Sequence, residues 1–179
     1  NSTTKYSTTR FGNVLGSRGS VIPIFKHQII KGGPLTVTSK QMTRFVMTLN
    51  EAIDLLLESG MLARGGEIFI TKMHTVNIFD LAEIMIAKLA GNKDISIREI
   101  GARPGEKMFE ELMTSEEARR AFELENHYVI VPALADLYPD YTEFKKSAQV
   151  VEIPYNSSVQ KCLSRSTLGK YLSETGILD

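Results

Sequence analysis

The sequence predicts an α/β protein containing part of a doubly wound, mostly parallel sheet, and three observations predict it. Ile68, Phe69 and Ile70 run consecutively within Glu67–Thr71, the pattern of a strand buried on both faces, as in parallel sheets covered by helices on either side. Segments with a helical apolar period alternate with short β-like runs, which is the order of strand–helix units. Glycines punctuate the joins, at Gly16, Gly19, Gly32, Gly33, Gly65, Gly66, Gly91 and Gly101.

Taken in order, Thr8 to Val14 reads as a short buried strand that ends in the small-residue loop Gly16–Gly19, where a backbone can approach a ligand closely. Ile22, Phe25, Ile29 and Ile30 share one side of a helix stopped by Gly32-Gly33-Pro34. Leu35 to Thr38 alternates as a brief strand, and Arg44 to Thr48 is β-like. Asn50 with Glu51 reads as the cap of a helix carrying Ile53, Leu56, Leu57 and Met61 on its apolar face, closed by Gly65-Gly66. After the Glu67–Thr71 strand, Asn77 opens a helix with Asp80 in its first turn and Leu81, Ile84, Met85 and Leu89 on its period. Ile95, Ile97 and Ile100 alternate as a strand leading into Gly101. Glu110 to Glu125 reads as charged and mostly helical, Tyr128 to Val131 as a strand, and the segment from Pro132 as an extended tail closed by a short helix over Thr167–Ser173.

Composition narrows the function classes. The 179 residues suit one ordinary domain or one and a half small ones, and an apolar share of 42% supplies a real core. Twenty-one basic and 21 acidic residues balance to zero, so no electrostatic footprint for nucleic acid or an anionic membrane is present and any bound anion must be held locally. The single cysteine, Cys162, forms no intrachain disulfide and no metal pair, and a reducing cytoplasm is the default compartment. No apolar run approaches the roughly 20 residues of a membrane helix. The tripeptides Asn1-Ser2-Thr3 and Asn156-Ser157-Ser158 read as chance glycosylation matches. His27, His74 and His127 share no ligand spacing, so no metal is expected, and the seven methionines read as core filler. The first residue is Asn and a strand follows within a few positions, so the chain is expected to be a piece of a longer protein.

The candidates for chemistry are polar residues in loops. Asn13 stands at the end of an expected parallel strand, outside whose carboxyl end ligands bind, and its amide both donates and accepts; an asparagine closing its own turn accounts for it equally. Gly19 and Ser20 precede a helix, so their amides point toward an anion, although one serine is more simply an ordinary cap. Arg44 and Arg103 occupy positions where a guanidinium can fork onto a diphosphate; either one alone is more often a surface ion-pair partner. Pro104-Gly105 fixes a turn that leaves Glu106 beside Arg103, where a carboxylate can accept ribose hydroxyls. Thr36 and Thr38 lie on a strand able to read a flat base through its backbone, while an edge strand with polar residues outward is the preferred reading from the residues alone.

Several motifs occur in a telling order: Arg10-Phe11-Gly12-Asn13-Val14-Leu15-Gly16-Ser17-Arg18-Gly19-Ser20, Gly32-Gly33-Pro34-Leu35-Thr36-Val37-Thr38, Met42-Thr43-Arg44-Phe45, Arg103-Pro104-Gly105-Glu106-Lys107 and Tyr155-Asn156-Ser157-Ser158. Together, from Arg10 to about Ser164, they resemble the C-terminal half of the CapD/CapE-like polysaccharide biosynthesis enzymes, within the extended short-chain dehydrogenase/reductase family. The resemblance implies the C-terminal part of a doubly wound Rossmann-like sheet plus a smaller substrate-binding domain, with an extended C-terminal tail. It implies a Rossmann-like remnant interleaved with a UDP-sugar domain over 1–126, and an extension over 127–179 for packing or oligomerisation.

By the same resemblance, Arg10 and Phe11 would pass under the nicotinamide of NAD or NADP, and Asn13 would contact the substrate diphosphate or sugar. Ser20 and Val21 would lie at the diphosphate, Thr36 and Thr38 at the uracil, Arg44 and Arg103 on the phosphates and Glu106 on the ribose. A complete enzyme would be a UDP-N-acetylglucosamine 4,6-dehydratase, one form of which inverts carbon 5, with 4-epimerisation of a UDP-sugar as the close alternative. Two departures stand out. Val159-Gln160 replaces the usual Asn-Thr, and neither a GxxGxxG dinucleotide loop nor a Tyr-x-x-x-Lys pair precedes Arg10. Catalytic residues are therefore expected in a missing N-terminal half, and cofactor retention by this chain is not. The expected partners are that half, the UDP-sugar and further copies in a homo-oligomer, with apolar edge surface exposed. The reading from another class is a non-catalytic nucleotide-sugar binding or assembly module.

Overall fold

The computed structural model describes residues 4–134, 141, 144 and 149–178, and these form a mixed α/β fold with parallel strand pairs. In chain order the first elements are β1 (Thr8–Arg10), β2 (Asn13–Val14), α1 (Val21–Ile30), β3 (Leu35–Val37), β4 (Thr43–Met47), α2 (Leu49–Leu62), β5 (Ile68–Thr71), β6 (His74–Asn77) and α3 (Ile78–Leu89). Then follow β7 (Ile97–Glu99), β8 (Glu111–Met113), α4 (Ser115–Ala118), β9 (Ala121–Glu123), β10 (His127–Ile130), β11 (Gln149–Val150), β12 (Tyr155–Asn156) and α5 (Arg165–Glu174). The chain divides into two compact units: Asn1–Phe11, Leu49–Met73 and Glu111–Asn156 form the first, and Gly12–Thr48, His74–Glu110 and Ser157–Asp179 the second.

In the first unit, β5 pairs in parallel with β1, Thr8 opposite Ile68, and antiparallel with β10 on its other side. Strands β9 and β11 extend that sheet, and β12 pairs with β8 in a small ribbon. Phe69 and Ile70 are fully buried, as the continuous apolar run demands of a strand flanked on both sides. Leu55 of α2 packs with Phe69, Val129, Val131, Tyr141 and Phe144. The buried Glu67 carboxylate caps the turn between α2 and β5 by accepting the Gly65 N–H at 2.7 Å.

The structure departs from three expectations. Thr8 to Val14 is not one buried strand: the pairing breaks at Phe11-Gly12, where the chain passes from the first unit to the second, and β1 is only half-buried because it edges its sheet among the described residues. The core face of α2 is Ala52, Leu55 and Ser59, whereas Ile53, Leu56, Leu57 and Met61 are 44–76% exposed, and the helix starts at Leu49 rather than after Asn50. Apolar residues cover a wide arc of this helix, with Glu51, Asp54 and Glu58 on the remaining side, so the period does not say which part of that arc is buried. Its small residues let it approach the sheet, and the Ser59 hydroxyl is satisfied within the helix by donating to the Leu55 carbonyl. Glu110 to Glu125 is mostly extended, with one helical turn held by a capping box in which the Thr114 hydroxyl accepts the Glu117 N–H and the Glu117 carboxylate accepts the Thr114 N–H. Four carboxylates that resemble a solvated helix face are individually engaged, Glu110 with Asn13, Glu116 with Arg120, Glu117 with Arg10 and Glu123 with Lys72.

In the second unit, β2 pairs in parallel with β4, which pairs antiparallel with β6, and β3 pairs in parallel with β7. Gly12 is required where β2 meets β4, since a Cβ there would fall 2.6 Å from the Phe45 carbonyl oxygen. Helices α1, α3 and α5 cover a core that includes Phe25, Leu35, Val46, Leu81 and Leu172. Asn77 caps α3 by accepting the Phe79 and Asp80 N–H groups at 2.8 and 3.1 Å. Ser164 caps α5, which starts at Arg165, two residues ahead of the expected Thr167, and Arg165 ties that helix to Asp80 of α3 at 2.7 Å.

Of the expected tail, residues 135–140, 142–143 and 145–148 lie outside the described residues, as does Asn1-Ser2-Thr3; residues 127–156 fall in the first unit and 157–179 in the second. Among the described residues no helix is long and apolar enough to cross a membrane.

His127 is buried in the first unit, with its Nδ1 3.2 Å from a Glu58 carboxylate oxygen. Burial holds its basicity below the ordinary histidine range; Glu58 opposes that shift and Lys72 adds to it. The unfolded chain therefore takes up this proton first as pH falls. Stability from His127 is complete above the ordinary pKa of about 6.5 and drains as pH falls through that value toward the lower folded one. Urea unfolding of wild type and His127→Gln between pH 8 and pH 5 should show wild type losing more stability on the acid side, and parallel curves would refute the assignment.

Candidate functional site

The second unit contains a cavity of about 320 Å³ whose walls come from β2, α1, β3, β4 and the loop after β7. Ile24, Phe25, Val37, Met42, Val46 and Ile100 make its apolar surface. Its polar lining is Asn13, Ser20, Thr36, Thr38, Arg44, Arg103 and Glu106, and Val21 joins them from α1. The structure therefore brings Asn13, Ser20, Val21, Thr36, Thr38, Arg44, Arg103 and Glu106 into one cavity. Arg10 and Phe11 do not line it. Both belong to the first unit, where Arg10 bridges Glu117 at 2.8 Å and donates to the Leu112 carbonyl at 3.0 Å.

Local sequence explains each placement. Ser20 is the N-cap of α1 in an extended conformation, yet its hydroxyl caps nothing, and that Oγ is buried without a hydrogen-bond partner. A helix N-terminus with no acidic residue in its first turn and an orphaned hydroxyl at its cap suits an anion, because the leading N–H groups and the helix dipole favour negative charge. Arg103-Pro104-Gly105-Glu106 closes as a turn, with the Glu106 N–H donating to the Arg103 carbonyl at 3.0 Å and Gly105 at φ +83°, the backbone region a type II turn assigns to glycine. The turn brings Arg103 and Glu106 to the same cavity.

The electrostatics are local, as the neutral composition requires. Arg44 is held by its own backbone frame: its guanidinium donates to the Thr43 and Lys107 carbonyls at 2.7 and 2.6 Å, and its Nε lies 3.7 Å from Glu110. Such fixation removes rotamer freedom before any ligand arrives. Glu106 accepts the Thr38 hydroxyl at 2.7 Å and the Arg103 N–H at 3.2 Å. The Thr38 hydrogen bond, then the Arg103 N–H, hold its acidity below the ordinary glutamate range against slight desolvation, and the charges of Arg103 and Arg44 add to the effect. Glu106 is thus a stable acceptor for neutral hydroxyl donors. Thr36 is already engaged: its N–H donates to Gln28 Oε1 at 3.0 Å, and its hydroxyl accepts from Gln28 Nε2 at 2.8 Å.

Two residues essential to this geometry escape sequence reasoning. Gln28 fixes Thr36 from the middle of α1. Glu110 accepts Asn13 Nδ2 at 2.8 Å and the Phe45 N–H at 3.1 Å. Glu110 follows the Arg-Pro-Gly-Glu motif closely enough to have been suspected, but its charged surroundings read as solvated surface. Among the described residues no cluster of His, Cys, Asp or Glu is arranged to hold a metal ion.

Removing the Thr38 hydroxyl tests this electrostatic account. Carbon-detected NMR titration should place Glu106 below the usual glutamate range in wild type and shift it upward in Thr38→Val. An unchanged titration would show that the hydroxyl does not hold the carboxylate.

The profile of a polysaccharide biosynthesis protein family matches residues 1–132. An uncharacterized membrane protein of Methanocaldococcus jannaschii is 45% identical over 98% of this chain and 51% of its own length. An inverting UDP-N-acetylglucosamine 4,6-dehydratase of Campylobacter jejuni is 39% identical over 75% of this chain and 39% of its own, and a UDP-glucose 4-epimerase of Rickettsia typhi 45% identical over 68% and 35%. The X-ray structure of Pen from Bacillus thuringiensis superimposes with a TM-score of 0.85 at 42% identity, covering 98% of this chain and 51% of that one. The chain spans about half the length of the Methanocaldococcus relative and less of the other two. Its relatives include nucleotide-sugar modifying enzymes of both kinds. With the motifs in order and the profile covering more than half its residues, the chain belongs to the CapD/CapE-like polysaccharide biosynthesis protein family.

Proposed function

We propose that this chain is the substrate-holding part of a UDP-N-acetylglucosamine 4,6-dehydratase, 5-inverting in the form suggested by the Campylobacter relative, that serves surface polysaccharide biosynthesis in the cytoplasm. The observation that carries the proposal is the gathering in one cavity of an anion-suited helix N-terminus, two arginines and a carboxylate held ionised. A nucleoside diphosphate sugar has matching parts: two phosphates for Ser20, Val21, Arg44 and Arg103, ribose hydroxyls for Glu106, and a flat base for the strand carrying Thr36 and Thr38. Asn13 would meet the diphosphate or sugar. The apolar wall excludes water and strengthens these contacts. UDP-sugar 4-epimerisation is the second reading, favoured by the Rickettsia relative, and the same cavity would serve it.

The residues present do not by themselves fit a dinucleotide. The sequence has no glycine-rich loop of the GxxGxxG type, and the Arg10 guanidinium is committed to Glu117 and Leu112. In this proposal NAD or NADP, which supplies the hydride chemistry, is bound mainly by a further part of the longer protein, with Arg10 and Phe11 lying beneath the nicotinamide. This chain binds and orients the sugar nucleotide. The exposed apolar face of α2, with Leu56, Leu57 and Met61, supports burial against that further part, and assembly as a homo-oligomer belongs to the same proposal.

Isothermal titration with UDP is the test. Arg44→Ala and Arg103→Ala should each weaken binding by about 1.5–3 kcal/mol, the scale for hydrogen bonds to charged groups. Unchanged affinity in both folded variants would remove the phosphates from this cavity and with them the proposed function.

A further inference from the structure

The Tyr155-Asn156-Ser157-Ser158 motif lies outside the cavity lining, yet its serine is among the most completely buried polar residues described, with 0% of Ser157 exposed. A serine hydroxyl has one donor and two acceptor positions. Here all three are used. Ser157 Oγ accepts the Glu110 N–H at 2.9 Å, lies 3.0 Å from Thr43 Oγ1, and donates to the Thr43 carbonyl at 3.3 Å. Its own N–H donates to the Glu110 carbonyl at 2.8 Å, so Glu110 is gripped from both sides of its backbone.

Glu110 passes that constraint into the cavity. One carboxylate oxygen accepts Asn13 Nδ2 at 2.8 Å and lies 3.7 Å from Arg44 Nε; the other accepts the Phe45 N–H at 3.1 Å. Asn13 and Arg44 line the cavity, whereas Glu110 and Ser157 do not. They reach the cavity through those two side chains. Thr43, the other residue Ser157 grips, supplies the carbonyl that accepts from Arg44.

We infer that Ser157 and Glu110 are positioning residues for nucleotide-sugar binding, fixing Asn13 and Arg44 in the orientation that meets the substrate. This rests on the proposed function of the cavity. It assigns a role to a C-terminal motif more than forty positions beyond the last cavity residue: to hold one asparagine and one arginine in place before substrate arrives. A group held in advance costs less to order on binding, so the effect falls on affinity rather than on folding alone.

The test compares Ser157→Thr with Ser157→Val, which have nearly the same shape and differ in the hydroxyl, and adds Glu110→Gln, which keeps side-chain size and loses the carboxylate. Two readouts are taken on each folded variant: the Asn13 side-chain amide and Arg44 Nε–H resonances without ligand, and the Kd for UDP. Ser157→Val and Glu110→Gln should move both resonances and raise Kd about tenfold, the change expected from loss of one charge-assisted interaction, while Ser157→Thr stays close to wild type. Equal affinity in the Val and Thr variants, or unmoved Asn13 and Arg44 resonances in Glu110→Gln, would overturn the inference. Wild-type protein that bound no UDP would overturn the nucleotide-sugar reading and this inference with it. The ligand-free spectra separate the two failures, because they report the Glu110 tie whether or not UDP binds.

Discussion

The Glu110 carboxylate is the interaction on which the cavity depends. It joins the start of β2, through Asn13, to β4, through the Phe45 N–H and Arg44. Gly12 lets those strands approach, because any larger residue would place a Cβ against Phe45. The apolar core determines that the strands and helices pack, but it is non-directional and cannot orient an amide or a guanidinium. Orientation comes from hydrogen bonds to charged groups, each worth roughly 1.5–3 kcal/mol in net stability.

The rest of the cavity follows the same division of labour. Apolar residues form the wall, and three polar residues at its edge are held by neighbours that do not themselves face the cavity: Thr36 by Gln28, Arg44 by the Thr43 and Lys107 carbonyls, and Asn13 by Glu110, while Thr38 and Glu106 hold each other within the lining. Ser20 differs, since its hydroxyl is buried and without a partner at the start of α1. A chain of zero net charge thereby brings two arginines to one cavity, because the positive groups are gathered by the fold rather than supplied by composition. The single carboxylate in the lining, Glu106, remains ionised there through Thr38 and the Arg103 turn.

Short-range features were legible in the sequence. The buried strand over Ile68–Thr71, the Asn77 cap, the stop after α1 and the Arg103–Glu106 turn are all decided within a few residues. Eight residues singled out as ligand candidates, Asn13, Ser20, Val21, Thr36, Thr38, Arg44, Arg103 and Glu106, line one cavity, whereas Arg10 and Phe11 do not. The misreadings have a common physical cause. On α2, the apolar arc is wider than one buried face, and only tertiary packing selects Ala52, Leu55 and Ser59 as the core face. Between Glu110 and Glu125, two carboxylates that suggest a solvated helix are engaged by distant or capping partners, Glu117 with Arg10 and Thr114, Glu110 with Asn13 and Phe45. Glu110 and Ser157 act across 97 and 47 positions, and no local period encodes such a distance.

The most direct measurement is an amide NMR titration of this chain with UDP-N-acetylglucosamine and, separately, with UDP. The account predicts saturable shifts clustered at Ser20, Val21, Thr36 to Thr38, Arg44 and Arg103 to Glu106, with Asn13 responding more strongly to the sugar nucleotide. A folded protein showing no saturable shifts at these positions, or shifts gathered elsewhere, would contradict the claim that this cavity is built to hold a nucleotide sugar.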